Sequence, residues 1–330
     1  MNATPVTAWV SWTSVMAWAA WAVLTILSLL FVWELITVLR ARVPAQTRLV
    51  VVGAQAPRSD TPIPRVIWTY WQAAPVPPFI QACLANWRQF APDHEVRLLD
   101  RTSLQRWLPE LRADFDTLPA YRQADWARVQ LLARHGGIWM DASMLISRDL
   151  AWLHSTQQRS GADYVGFYID RYSTRPDLPI IENWLMASAA GGRFVTAWAQ
   201  ALDRALDDGA EAVLARLRAQ GRHAAVTQAL TDDFQRYLLM HVAASDLLDV
   251  QPDLARLALL RAEDGPFAWL AAVGWRKRHH FVRLALTPCP RLLPAVLKLR
   301  GGDRALTERN WLRGWVSPFS ALRHLIGRRP

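Results

Sequence analysis

The run Ala8 to Trp33 (AWVSWTSVMAWAAWAVLTILSLLFVW) carries no charged side chain. As a helix it is long enough to cross a hydrocarbon core of roughly 30 Å. A cleaved signal peptide would open with basic residues and have a shorter apolar region, and neither is present. None of the first seven residues is basic, whereas Arg40, Arg42 and Arg48 follow the run. The positive-inside rule then leaves the N-terminus outside and the large C-terminal part in the cytoplasm. The first expectation is a single-pass anchor, residues 1–40 with its span at about 8–33.

The rest of the chain has material for a core. Of 330 residues 52% are hydrophobic, which excludes global disorder. The net charge of +10 asks for an acidic partner: nucleic acid, anionic lipid or a phosphorylated small molecule. Nucleic acid is set aside, because the basic residues form no single block and match no zinc-finger, RRM or basic-zipper pattern. Cys83 and Cys289 stand far apart and read as free thiols of a reducing compartment.

Residues 41–62, rich in proline and without periodicity, read as a linker. RVIWTYW (Arg65 to Trp71) reads as a buried strand and PFIQACLANWRQFAP as a helix. HEVRLLD is a second strand and LQRWLPELRA helical. A helix from about Ala120 to His135 stops at Gly136–Gly137, and the strands GIWMDASMLI and DYVGFYI follow. Alternating strands and helices imply an α/β domain with a largely parallel sheet. From Phe194 onward the pattern is mostly helical. The last sixty residues mix tryptophan, leucine and basic residues, and the basic amphipathic tail (305–330) reads either as a surface that docks on an anionic leaflet or as an ordinary basic helical surface.

Two patterns stand out as chemistry. Arg122, Asp125 and Arg128 recur every three residues and share one helix face. Beyond the Gly-Gly pair, Asp141 is the sole carboxylate of an apolar strand. An ionised group there is costly unless paired or bound to a cation, and the carboxyl end of a sheet strand suits a ligand. The bland readings are a solvated salt-bridge ladder and a turn cap. No nucleophile elbow, P-loop or dinucleotide fingerprint occurs. His279–His280 sits among Arg and Lys without nearby acidic or thiol ligands, so zinc is not expected.

Several pieces, in order and spacing, resemble the glycosyltransferases with a DXD sugar-binding region. These are the capsular-polysaccharide-synthesis group, the family 32-like yeast initiating α-mannosyltransferase type and, more distantly, the clostridial glucosylating toxins. The pieces are IPRVIWTYW (Ile63 to Trp71), ADWAR (Ala124 to Arg128), HGGIWMDAS (His135 to Ser143) and IIENWLMAS (Ile181 to Ser188). DDFQRYLLMHVAASDLL and KLRGGDR look like later capsular-type segments. Coverage runs from about Ile63 to Arg304.

The resemblance implies a GT-A-like, Rossmann-type nucleotide-sugar-binding domain over residues 63–304, with a mostly helical C-terminal part. It implies that Trp71 stacks on the nucleotide base, Asp125 holds ribose or sugar hydroxyls, and Arg128 contacts the sugar or diphosphate. Asp141 corresponds to the first aspartate of the DXD, so it is expected as metal ligand and catalytic residue. The second position is Ser143, a weaker neutral ligand, so Mn²⁺ or Mg²⁺ would lean on Asp141, waters and the diphosphate. Positive charge at the leaving phosphate could come instead from Arg128, Lys298 or Arg304. Asn183 would orient sugar or acceptor hydroxyls. Retention of configuration is implied. Glu182 and Asp170 are the carboxylates available for a double displacement, and front-face substitution is the alternative.

The expected function is a membrane-anchored glycosyltransferase at the cytoplasmic face of a bacterial inner membrane. It would move a sugar from a nucleoside-diphosphate sugar to a polysaccharide or lipid-linked acceptor in cell-surface polysaccharide synthesis. The rival, which Ser143 favours, is a catalytically silent scaffold or glycan-binding subunit.

Overall fold

The computed structural model describes residues 12–327. Residues 8–11 of the expected span and 328–330 of the expected tail lie outside them. Helix α1 covers Trp12–Arg40 and leaves most of its length exposed. Among the described residues it is the one helix long and apolar enough to cross a membrane, over Val15–Arg40. It runs past Trp33 to Arg40, and Glu34, the charge that ends the apolar run, is paired from far along the chain. Arg276 Nη1 lies 2.7 Å and His279 Nε2 2.5 Å from its carboxylate. The acidic partner of His279 was invisible in its local sequence, and so was that of His280, whose Nδ1 lies 3.9 Å from Asp303. Val38 and Ala41, at and just beyond the C-terminal end of α1, are buried in the domain core.

Strand β1 (Leu49–Val52) is followed by β2 (Val66–Tyr70), helix α2 (Pro78–Phe90), β3 (Glu95–Leu99) and α3 (Arg101–Trp107). Then come α4 (Ala120–His135), β4 (Gly137–Met140), β5 (Leu145–Ile146), α5 (Ala151–Ser160), β6 (Tyr164–Tyr168) and β7 (Ile181–Ser188). Helices α6 (Arg193–Asp208), α7 (Ala210–Ala219), α8 (His223–Thr227), α9 (Asp232–Tyr237) and α10 (Leu239–Val250) precede β8 (Leu257–Arg261). The chain closes with α11 (Ala268–Ala272), α12 (Lys277–Phe281), β9 (Val296–Leu297), α13 (Gly301–Leu312) and α14 (Ala321–Ile326).

Seven strands form one sheet in the order β1-β8-β6-β7-β4-β2-β3. The pairs β6–β8, β2–β4 and β2–β3 are parallel, and β1–β8, β6–β7 and β4–β7 antiparallel. The α/β class holds, but the sheet is mixed rather than largely parallel. Between β6 and β7 there is only a 3-10 turn (Asp170–Tyr172) and no crossover helix, so the chain returns antiparallel.

Alternation sorts side chains to two covered faces. Ile67, Ile138, Met140, Val165 and Phe167 enter one core, and Trp68, Tyr70, Trp139, Tyr164 and Tyr168 the other. Each large apolar side chain fully buried in these cores stabilises the fold by about 1.5–3 kcal/mol.

Three expectations need correcting. The segment 41–62 is not a free linker, because β1 pairs with β8 along four residues, Leu49 opposite Leu260 through Val52 opposite Leu257. The predicted strand GIWMDASMLI is split. It leaves the sheet after Met140, turns through a Met144 N–H to Asp141 carbonyl bond, and resumes as β5 in a separate pair with β9. The C-terminal segment is not a separate tail, since Trp311, Leu322 and Leu325 belong to the core. Asn86 Nδ2 also donates to the carbonyls of Ile146 (2.9 Å) and Leu325 (3.0 Å). Apolar residues of that segment that remain exposed include Trp315 and Phe319, at 63% and 75%.

Candidate functional site

The Gly136–Gly137 pair sets where the site begins. Gly136 ends α4 at φ 64° and Gly137 opens β4 at φ 100°. A Cβ at Gly136 would come within 2.4 Å of the Ala190 nitrogen, and one at Gly137 within 2.6 Å of Val66 Cγ1. Only glycines let α4 reverse tightly into the sheet centre. That reversal lays the Arg122–Asp125–Arg128 face of α4 beside the carboxyl end of β4, where Asp141 emerges.

A cleft of about 850 Å³ opens there, and all eight residues singled out from the sequence line it. Trp71 follows the end of β2; Asp125 and Arg128 come from α4. Asp141 and Ser143 lie in the turn after β4, and Asn183 near the start of the antiparallel β7. Lys298 lies in the segment after β9 and Arg304 on α13. Of the two carboxylates weighed as nucleophiles, Glu182 is in the cleft, 3.6 Å from His241 Nε2. Asp170 lies outside it, in an ion pair with Arg261 at 2.7 Å.

The α4 triplet is not a solvated ladder. Arg122, Asp125 and Arg128 are 7%, 6% and 5% exposed. Arg128 Nη2 lies 3.2 Å from Asp125 Oδ1, and its Nη1 donates to the Asn183 carbonyl at 2.6 Å. Asn183 Nδ2 closes the loop by donating to Asp125 Oδ1 at 3.0 Å. Arg128 Nη1 is also 3.5 Å from Asp141 Oδ1, and its guanidinium lies 4.9 Å from the Trp139 ring centroid. These contacts fix the guanidinium in place. Burial pushes the Asp125 carboxyl above its ordinary range, outweighing the Arg128 and Arg122 charges.

Asp141 has both oxygens engaged. Trp139 Nε1 donates to Oδ1 at 3.1 Å, and Lys298 Nζ donates to Oδ2 at 2.5 Å. Burial raises its carboxyl, but the Lys298 and Arg128 charges together hold it below the usual range. At the outer wall the Arg304 guanidinium lies 5.5 Å from the Trp71 ring centroid and pairs with Glu308 at 2.9 Å.

A catalytic Mg²⁺ keeps several waters and is bound by one or two carboxylates plus the phosphates of its substrate. At this position the protein offers one carboxylate already held by three donors, plus the neutral Ser143 hydroxyl. Among the described residues no group of three or more His, Cys, Asp and Glu side chains could hold a metal. Asp141 is paired with the Lys298 ammonium, and with Ser143 it would offer a Mn²⁺ or Mg²⁺ one carboxylate and one hydroxyl, the remaining ligands coming from waters and the diphosphate.

His241 and the loop before α12 were missed. His241 is the one basic residue in the apolar run LLMHVAA, the same signal that picked out Asp141. Nothing local marks Trp275 or Lys277, whereas Arg300 lies in the KLRGGDR segment that supplied Lys298 and Arg304.

A charged, aromatic-walled cleft at the carboxyl ends of β2 and β4 defines the class, a ligand-binding α/β domain of enzyme type. Within that class, residues 52–204, just under half of the chain, match the family model described as capsular polysaccharide synthesis protein. The chain is similar to the O-glycosyltransferase braB of Annulohypoxylon truncatum, 29% identical over 161 residues. That match covers 43% of this chain and 37% of the relative, so the chain spans well under half the relative's length. Among solved structures it shows a weak likeness to the PaToxG glycosyltransferase, at 14% identity and TM-score 0.30 over 83% of this chain and 90% of that one. The apo-form glycosyltransferase GlyE of Streptococcus pneumoniae TIGR4 gives 10% identity and TM-score 0.37, over 78% and 65%.

Proposed function

We propose that the chain is a glycosyltransferase that moves a sugar from a nucleoside-diphosphate sugar to a glycan or lipid-linked acceptor, with retention of configuration, in cell-surface polysaccharide synthesis. The observation that carries this is the convergence of eight residues from six chain segments on one cleft, with Asp141 held between Arg128 and Lys298. In this reading α1 anchors the protein in a bacterial inner membrane and the sheet domain works at its cytoplasmic face. Residues 63–304 act as a GT-A-type donor domain, to which β1 and the C-terminal helices add.

Trp71 takes the base, and the Asp125–Asn183 pair takes sugar hydroxyls. As the bond between the anomeric carbon and the diphosphate breaks, negative charge grows on the leaving oxygen. Arg128 and Lys298 stabilise it, with Arg304 at the cleft's outer wall. The acceptor hydroxyl forms the new bond on the face the diphosphate leaves, and its proton departs with the diphosphate. Glu182 is engaged with His241, which supports front-face substitution over a double displacement. Calorimetric titration of UDP and GDP into the detergent-solubilised full chain tests the donor site. One of them is expected to bind, and Trp71→Ala to weaken it about tenfold, as loss of a stacking platform does. No binding of either would refute the reading.

A further inference from the structure

Beside the donor cleft lies a second cavity of about 350 Å³. Its position is set by the anchor: Arg42 and Pro44, just past the end of α1, form part of its wall, and Ala268, Ala271 and Ala272 give it an apolar side. Its acidic residues are already committed. Asp170 and Asp264 each lie 2.7 Å from Arg261, and Asp264 also holds Arg48 at 3.2 Å. Glu263 accepts from the backbone N–H groups of Asp170 and Arg171. Two cations remain unspent. Among the described residues, neither Arg42 nor Arg171 has a carboxylate partner, and the Arg171 guanidinium makes only ring contacts, with Tyr172 and Trp275.

Trp275 lines both this cavity and the donor cleft. Its backbone is left-handed, φ 62°, a conformation that a bulky residue holds only when its surroundings enforce it. Those surroundings are visible. Phe267 packs on its ring with centroids 5.4 Å apart, Arg171 sits 4.9 Å from the ring centroid, and Arg300 Nη2 donates to its carbonyl at 3.3 Å. The next residue, Arg276, is the one that binds Glu34 of α1. The turn that fastens the apolar helix to the domain is thus also the partition between the two cavities.

We propose that the juxtamembrane cavity binds the phosphate or diphosphate head of a membrane-borne amphiphilic acceptor, and that Trp275 is the platform across which its hydroxyl reaches the donor. Arg42 and Arg171 neutralise the head, the alanine wall of α11 receives the start of the apolar tail, and the sugar or alcohol beyond the phosphate crosses the indole face. This rests on the transferase reading. In the step itself, the presented hydroxyl oxygen bonds to the anomeric carbon, the carbon–diphosphate bond breaks, and the hydroxyl proton leaves on the diphosphate.

The test uses the full chain in phosphatidylcholine nanodiscs with a diazirine-bearing alkyl phosphate as probe, cross-linked sites being mapped by mass spectrometry. Adducts are expected within residues 268–275, suppressed by excess dodecyl phosphate and unaffected by inorganic phosphate. They should fall about tenfold in an Arg42→Ala/Arg171→Ala variant, the loss expected for a charge-assisted contact, and recover in Arg42→Lys/Arg171→Lys. Adducts confined to α1, or equal in the alanine variant, would overturn the proposal. Competition by inorganic phosphate as strong as by dodecyl phosphate would overturn its membrane-borne acceptor. UDP and GDP titrations on the same samples separate the two readings. Nucleotide binding without labelling in the cavity removes the acceptor site alone, whereas labelling without nucleotide binding removes the transferase.

Discussion

Lys298 Nζ lies 2.5 Å from Asp141 Oδ2, joining a turn after β4 to a segment 157 residues further along. This contact places an ammonium against the carboxylate that the sequence led us to expect as a metal ligand. If Lys298 provides the charge at the leaving phosphate, Lys298→Ala should lower donor cleavage about 10²–10³-fold, the usual cost of removing one aligned donor to a developing anion. Lys298→Arg should keep part of the rate. Steady-state cleavage of the donor that binds checks both variants, and an unaffected Lys298→Ala would contradict the role.

The Asp125–Arg128–Asn183 loop is expected to matter for stability as well as for ligand. Asp125→Asn removes the charge facing two buried guanidiniums, a change that costs about 3–5 kcal/mol in comparable buried pairs. Asn183→Ala leaves the ion pair intact and should cost about 1–3 kcal/mol, the penalty of unsatisfied buried polar groups. Thermal unfolding in detergent ranks the two, and equal costs would show that the ion pair carries no special weight.

The C-terminal helix is stitched to the sheet domain through Asn86, which is 1% exposed. Its amide donates to the carbonyls of Ile146 and Leu325 and accepts from the Ile146 N–H at 2.8 Å. Asn86→Ala leaves three buried backbone groups short of a partner and should destabilise by about 2–4 kcal/mol. Limited proteolysis is expected to cut first near α14 in this variant. Unchanged cleavage would mean that the helix is held by its apolar contacts alone.

Much of this architecture was legible locally. The end of α4 at His135 follows from the Gly-Gly stop, and the strands β2, β3 and β6 follow from their apolar, β-branched or aromatic runs. Other features depend on partners distant in sequence. β1 is a strand because β8 pairs with it, and Glu34 of α1 finds its partners only in Arg276 and His279. At the site, the positions of Asp125, Arg128 and Asp141 could be read from pattern. The pairing of Asp141 with Lys298 could not, since it is made by the turn after β4 meeting the segment after β9. Trp275 offered no pattern at all; only its backbone and its two cavities mark it.

Asp303, in the wall of the cleft, supplies a pH test that reads stability rather than turnover. Burial raises its carboxyl, but the neighbouring His280 and the hydrogen-bonded Arg300 outweigh this and bring it down to about 2 from 3.8. A carboxyl depressed in the folded state adds stability in full above its unfolded value, and that stability is lost as pH falls through the folded value. The contribution, about 2 kcal/mol by linkage, should therefore vanish between about pH 4 and pH 2. The melting temperatures of the wild type and Asp303→Asn should differ at pH 6 and converge towards pH 2; a constant gap would contradict this.

The most direct measurement is turnover of nucleotide sugars by the detergent-solubilised full chain, in EDTA and in Mn²⁺, beside Asp141→Ala and Lys298→Ala. The expected result is cleavage of one donor that survives EDTA and is lost in both variants. Cleavage that requires Mn²⁺ and tolerates Lys298→Ala would contradict the ammonium's role. Absence of both turnover and donor binding, with any UDP- or GDP-sugar, would contradict the transferase itself.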